Sequence, residues 1–214
     1  MFRTVSIIGF AVVFLGIIIH CFARPCGKER RWGAVNILRK GIHLLTLVFL
    51  EQKLSPAGVL RKLVYLLTLL CFVILLITGF YHPLVSDEHL SGFLLMLHAT
   101  FAPVFAACLA VLGVMWAGNC LFDKNYWPWL QRVLRRQAAS EAGIEKYELL
   151  GKLCFWVIVL LAFPVILSIV LSMFRLFGTY MQGFLLEVHR YSTLALALAA
   201  IIHTYLTIRS QMEE

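Results

Sequence analysis

The sequence predicts an all-α integral membrane protein with five transmembrane helices. Of its 214 residues, 61% are hydrophobic and 14% are charged, and the mean hydropathy of +0.87 lies far above that of soluble globular chains. The apolar residues also form runs long enough to cross about 30 Å of hydrocarbon. These runs lie at residues 4–23, 63–81, 92–117, 153–176 and 185–207.

Three stretches at or between these runs predict further features of the fold. The first run is either a signal peptide ending at "CFA" or a retained helix, and we expect the helix. The stretch "VNILRKGIHLLTLVFLEQKL" has a basic start and an apolar remainder too short to span, which is typical of an interfacial or re-entrant helix. Trp127 and Trp129 suit the membrane interface, and an Arg-rich helix is predicted to follow them.

Lysine and arginine are distributed very unevenly between the predicted spans. Sixteen of the nineteen lie in residues 24–62, in residues 117–152 or at Arg209. The positive-inside rule places these segments in the cytoplasm, which puts the N-terminus and the loop "HPLVSDEHLSG" outside. The net charge of +8 is therefore a marker of topology, and we expect no nucleic-acid partner.

Three histidines lie inside predicted spans, where an imidazole costs free energy unless it is paired. His98 is about six residues into the third span and His189 about four residues into the fifth, so both lie at a similar outer depth. His203 follows His189 by fourteen residues, or roughly 21 Å of helix, on nearly the same face. Two histidines at one depth on different helices are what axial ligation of a haem iron requires. A hydrogen bond between helices is the alternative.

The other four histidines give weaker signals. His82 and His89 lie in the acidic outer loop, where solvation is the ordinary state of a histidine. His20 and His43 lie near the inner surface, at about the depth of His203. Each is either a partner for His203 or an ordinary interfacial histidine.

Four stretches resemble the membrane cytochrome b (gamma) subunit of respiratory formate dehydrogenases, which is related to other bacterial di-haem cytochromes b. They are "GFLLMLHATFAP", "DKNYWPWL", "EKYELLGKLCFW" and "VHRYSTLALALAAIIHTYL", within roughly residues 60–208. The resemblance implies a four-helix haem-binding bundle in the bacterial cytoplasmic membrane, here with one extra N-terminal transmembrane helix. It also implies that the last helix ligates two haems b, and that His98 and His189 bind the outer one.

This resemblance divides the chain into two parts. Residues 1–62 are expected to hold the N-terminal transmembrane helix and a cytoplasmic interfacial segment, and residues 63–214 the four-helix cytochrome b domain.

The chain departs from the family pattern at the inner haem. The resemblance implies His203 as one ligand, but the position of the family's fourth ligand matches about Tyr65. Tyrosine is an uncommon haem ligand in such a role. Either His43 substitutes, or the haem is five-coordinate, or it is absent. We favour His43 because "RKGIHLLTL" begins like the family's ligand helix, and His20 is the alternative substitute.

The resemblance also points to two further candidate binding residues, Glu148 and Arg190. In the family, polar residues of the segment matching "KYELLGK" bind menaquinone, and Glu148 takes the position of an asparagine there. Glu148 is either an acceptor for a quinol proton or a solvated loop carboxylate. Arg190 is a candidate partner for a haem propionate at the outer site, or for a lipid phosphate.

These residues predict a membrane-anchoring b-type cytochrome subunit of a respiratory oxidoreductase complex. Electrons would pass between an extracytoplasmic iron–sulfur or multihaem subunit, two haems b, and menaquinone or ubiquinone. We expect membrane lipid around the helices and no independent substrate chemistry apart from quinone redox. The competing interpretation is a haem-free membrane anchor or a small proton-coupled transporter, although the sequence shows no internal repeat of the transporter kind.

Overall fold

Long α-helices make up the part of the chain that the computed structural model describes. That part comprises residues 1–23, 56–85, 90–121, 131, 143–174 and 178–213, with their side chains except at 57, 143–148 and 211–213. It contains five helices and no strand: α1 (Phe2–Ala23), α2 (Pro56–Val85), α3 (Gly92–Ala117), α4 (Gly143–Met173) and α5 (Thr179–Glu213). All five include a segment long and apolar enough to cross a membrane, which confirms the predicted fold class.

The helices extend beyond the apolar runs that predicted them. The span in α2 begins at Gly58 rather than residue 63, so it includes Arg61 and Lys62. Long basic side chains near a helix end can reach the membrane surface, so they do not end the span where an apolar run ends. The span in α5 likewise begins at Thr179, before Glu187.

Helices α2 and α3 form an antiparallel hairpin. Phe72 packs against Phe105 with ring centroids 6.0 Å apart, and Tyr65 against Trp116 with centroids 6.1 Å apart. The chain enters α3 through Gly92, whose φ of +60° is a conformation that glycine adopts at little cost. The C-terminal half of α2 therefore lies beside the N-terminal half of α3.

Helices α4 and α5 form a second antiparallel hairpin, with the most extensive contact between any two of the described helices. The imidazole of His189 is hydrogen-bonded to the backbone of Val165, and that of His203 faces the backbone of Gly151. A further hydrogen bond, from Trp156 Nε1 to the Cys120 carbonyl, joins α4 to the turn after α3 at 3.0 Å. The two hairpins are thus connected at that end of the bundle.

Helix α1 packs against α5 and α2, and it runs parallel to α5. Phe2 meets Tyr191 edge to face, and a Cβ atom on Gly9 would lie 3.1 Å from Leu198. The order of these contacts along both helices defines the parallel direction. Since the two hairpins are antiparallel, the five described helices alternate in direction in the order in which they follow one another along the chain, as in an up-and-down membrane bundle.

A small apolar core joins these three helices. Its buried members come from α1, α2 and α5, and they are Phe2, Phe80, Leu194 and Ala197. Most of the remaining apolar surface of the helices is exposed, which is what lipid-facing spans require because they need no water-excluding core. Buried threonines on α2 satisfy their hydroxyl groups within the helix: Thr68 donates to the Val64 carbonyl at 2.7 Å and Thr78 to the Ile74 carbonyl at 2.8 Å.

Several predicted features lie outside the described residues. They include His43, His89, the predicted interfacial helix around His43, and the Trp127 and Trp129 segment. The backbone at Glu148 belongs to α4, but its side chain also lies outside the described set.

Candidate functional site

Helices α3 and α5 bring His98 and His189 together. The centroids of the two imidazole rings are 6.5 Å apart, and the ring planes are nearly perpendicular at 82°. Each side chain is half-buried inside a predicted span. The two histidines that the sequence placed at one depth are therefore neighbours in the folded chain.

His98 is held by two consecutive residues of α2. The Thr78 hydroxyl oxygen lies 2.9 Å from His98 Nδ1. The ring passes so close to Gly79 that a Cβ atom there would lie 3.2 Å from His98 Cε1. Thr78 is only 2% exposed, so this contact is sheltered from solvent and its geometry is defined by the packing of α2 on α3.

His189 is held by the main chain of α4. Its Nδ1 lies 2.9 Å from the Val165 carbonyl oxygen, and a carbonyl can only accept a hydrogen bond. His189 therefore carries its proton on Nδ1. In the neutral imidazole this leaves the lone pair on Nε2.

His98 and His189 are the residues that would hold a haem iron here, since they are neighbouring imidazoles on two facing helices, 6.5 Å apart between ring centroids. Histidines that bind metals usually donate their other N–H to a carbonyl or another acceptor, as His189 does to Val165.

His98 and His189 form a two-histidine donor set on facing helices. No group of three or more His, Cys, Asp or Glu side chains able to hold a metal ion occurs among the described residues. A porphyrin supplies four ligands of its own and needs only one or two from the protein. Two histidines on facing helices are sufficient for it.

His203 lies on the same helix as His189, fourteen residues further on. This spacing corresponds to roughly 21 Å along the helix axis. Its ring faces the Gly151 backbone, but the buried Nδ1 makes no well-formed hydrogen bond within the described part of the chain. A buried imidazole nitrogen held so weakly is costly in hydrocarbon, so His203 fits a residue that binds something further.

The two alternative inner residues have protein partners. His20 Nδ1 lies 2.6 Å from the hydroxyl oxygen of Tyr205 on α5. Tyr65 packs its ring against Trp116, where Arg61 also lies 5.6 Å from the centre of the indole. These contacts place His20 at the α1–α5 interface and Tyr65 at the α2–α3 interface.

Arg190 directly follows His189 on α5. Its guanidinium donates to Glu187 at 2.9 Å and lies 4.6 Å from the centre of the Phe2 ring. Both contacts are local to α5 and its junction with α1. The arginine predicted to neutralise a propionate or lipid phosphate is thus also a helix-to-helix contact.

Sequence reasoning missed Thr78, Gly79 and Tyr205. Thr78 and Gly79 lie in "LLITGF". They are the one adjacent pair of a polar and a small residue in the second half of the apolar run at residues 63–81. Their pairing with His98 depends on how α2 is rotated, which a run apolar on every side does not specify. Tyr205 follows His203 by two residues and faces α1 instead.

Comparison with known proteins identifies a family. Residues 62–213 match the model of a protein family described as prokaryotic cytochrome b561. The matched segment includes α2 from Lys62 onward and the whole of α3, α4 and α5, whereas α1 lies before it. No curated protein and no solved structure matches the sequence significantly.

Proposed function

Because the chain belongs to the prokaryotic cytochrome b561 family, we propose that it is the membrane subunit of a respiratory oxidoreductase complex. Membership of this family makes it a membrane b-type cytochrome that takes part in transmembrane electron transfer. The more specific proposal is a subunit like the gamma subunit of formate dehydrogenases, since the four sequence stretches quoted above resemble that subunit. Residues 63–214 form its cytochrome b domain in this proposal.

One observation supports the outer site more than any other: His98 and His189 are adjacent, and the Nδ1 atom of each is already engaged. In this proposal both histidines bind haem b through Nε2. Bound haem supplies a one-electron carrier there. The helices hold the two imidazoles at a fixed separation, and the apolar surroundings keep water from the ring nitrogens.

The inner site of the proposal uses His203 for a second haem b. Its buried Nδ1, which makes no well-formed hydrogen bond within the described residues, supports this role, and so does its fourteen-residue spacing from His189. We assign the opposite ligand to His43, which lies outside the described residues. The hydrogen bond between His20 and Tyr205 and the contact between Tyr65 and Trp116 give both alternatives other partners.

The proposed orientation of the chain in the membrane follows from the distribution of its lysines and arginines. Most lysines and arginines lie in two segments, residues 24–62 and 117–152, which we place in the cytoplasm of a bacterial inner membrane with the N-terminus outside. An extracytoplasmic iron–sulfur or multihaem subunit would then meet the His98 level. Menaquinone or ubiquinone would exchange near the inner surface, with Glu148 accepting a quinol proton.

Arg190 has a supporting role in this proposal. It lies one residue after His189, and its pairing with Glu187 keeps a charged group at the outer end of α5. A haem propionate at the outer site would compete with Glu187 for the guanidinium, because a carboxylate of either kind accepts the same bidentate hydrogen bonds.

A reduced-minus-oxidised absorption spectrum of the purified chain, with a haem-to-protein ratio, tests the proposal. Two haems b per chain are expected, and a quinol added under anaerobic conditions should reduce both. A spectrum without a b-type band would favour the haem-free anchor. One haem per chain would contradict the inner site alone, and haem that no quinol reduces would contradict the quinone assignment.

A further inference from the structure

We propose that Thr78 is the positioning residue of the outer haem site: its hydroxyl fixes the proton and the orientation of the His98 imidazole. This inference rests on the proposed binding of haem by His98 and His189. Thr78 comes from α2, a helix with no histidine at this level among the described residues. Helix α2 would thus orient the imidazole that α3 supplies.

The direction of the hydrogen bond follows from the other contacts of the Thr78 hydroxyl. A threonine hydroxyl has one hydrogen to donate and two lone pairs with which to accept. Its oxygen lies 2.8 Å from the Ile74 carbonyl and 3.3 Å from the Leu75 carbonyl, and carbonyl oxygens only accept. The hydroxyl hydrogen is therefore directed to the backbone of α2. The oxygen accepts from His98 Nδ1–H, at 2.9 Å.

This arrangement leaves the lone pair of His98 on Nε2, the same tautomer that the Val165 carbonyl imposes on His189. Both imidazoles then offer Nε2 to an iron. Donation of the second N–H to an acceptor also raises the basicity of a metal-bound histidine. We expect this hydrogen bond to stabilise the ferric state and so to lower the reduction potential of the outer haem.

Gly79 completes the arrangement sterically. Its lack of a Cβ atom lets the His98 ring approach the α2 backbone, since a Cβ would lie 3.2 Å from Cε1. Thr78 therefore holds one edge of the ring while Gly79 leaves room for the neighbouring atom. With the hydroxyl removed and the ring still buried, Nδ1–H would lose its acceptor, which is costly in hydrocarbon.

The test compares three variants of the full-length chain. Thr78→Val keeps the shape but removes the hydroxyl, and Thr78→Ser keeps the hydroxyl. Thr68→Val is the matched control, because Thr68 is also buried on α2 and donates to a backbone carbonyl four residues back, and its hydroxyl has no histidine partner among the described residues. The measurements are haem content, redox titration of each haem, and the electron paramagnetic resonance spectrum of the oxidised protein.

Thr78→Val should raise the potential of one haem and change its resonance spectrum, and it should weaken retention of that haem by roughly tenfold or more. Thr78→Ser and Thr68→Val should behave like the wild type. The inference is overturned if Thr78→Val leaves potential, spectrum and retention unchanged, or if Thr78→Ser or Thr68→Val causes the same effect. A wild-type chain without haem b would instead overturn the proposed function, since the readouts of Thr78 presuppose a haem.

Discussion

His20 on α1 and Tyr205 on α5 are joined by a hydrogen bond of 2.6 Å between Nδ1 and the phenolic oxygen. The contact lies two residues beyond His203 along α5, and Cys21 approaches the same oxygen at 3.8 Å. It attaches α1, which precedes the segment matched by the family, to the helix that carries two candidate ligands. Van der Waals contact at Gly9 and Leu198 adds to this attachment.

Removal of that hydrogen bond should loosen α1 with little effect on the outer haem. For Tyr205→Phe we expect a loss of about 0.6 kcal/mol in unfolding free energy, the average for such bonds between membrane helices. Unfolding in mixed detergent micelles measures it. Tyr180→Phe, at a position 86% exposed on α5, is the control and should have no effect. Equal stability of the two variants would show that the bond contributes nothing.

The outer ligands should be individually essential. His98→Ala and His189→Ala should each remove the same haem, because in the proposed site each histidine supplies one of the two protein ligands and the two imidazoles are neighbours. All spans should still insert, since insertion depends on apolar length. Haem content and membrane fractionation measure the two effects, and His82→Ala on α2 is the control. Unchanged haem in both variants would contradict the outer site.

A methyl group at Gly79 should displace the His98 ring. For Gly79→Ala we expect lower occupancy of the outer haem, because the new Cβ would lie 3.2 Å from His98 Cε1 and the ring would have to shift by a few tenths of an ångström. Gly113→Ala on α3 is a matched control, since that Cβ would meet nothing within 4 Å. Alanine is also the better helix former, so the control should be neutral or slightly stabilising. Equal haem occupancy in both would refute the steric argument.

At the inner site, His43→Ala and His203→Ala should each remove the same haem and block quinone-linked electron transfer. The outer haem should persist in both. His20→Ala should retain the inner haem, because its imidazole is assigned to Tyr205. Spectra of the three purified variants decide the matter. Loss of the inner haem in His20→Ala, with retention in His43→Ala, would transfer the ligand role to His20.

The orientation of the chain can be tested with reporter fusions. A reporter after Arg136 should be cytoplasmic and one after Asp87 external, because the basic segments are expected to remain inside. Alkaline phosphatase, active only outside, and a fluorescent protein, active only inside, give opposite signals at each site. Reversed signals would place the His98 level on the cytoplasmic side and invert the proposed path of electrons.

The sequence was sufficient to predict the spans and the proximity of His98 to His189. Counting residues from the ends of apolar runs gives depth, because each helical residue rises about 1.5 Å. Depth does not give rotation about the helix axis. Helix α2 is apolar on nearly all sides, so nothing in its periodicity showed that Thr78 and Gly79 face His98. The partner of His20 was equally hidden, since it depends on where α1 packs.

The two halves of the outer site are made at different times. Thr78, Gly79 and His98 lie on one hairpin, whereas His189 follows 91 residues after His98. At roughly 5–20 residues per second, a ribosome needs about 5–20 s to bridge that interval. If the α2–α3 hairpin forms as it is made, it would hold the His98 imidazole in place during those seconds. Haem delivery to the proposed site would then have an interval in which to engage His98 before α5 arrives with His189.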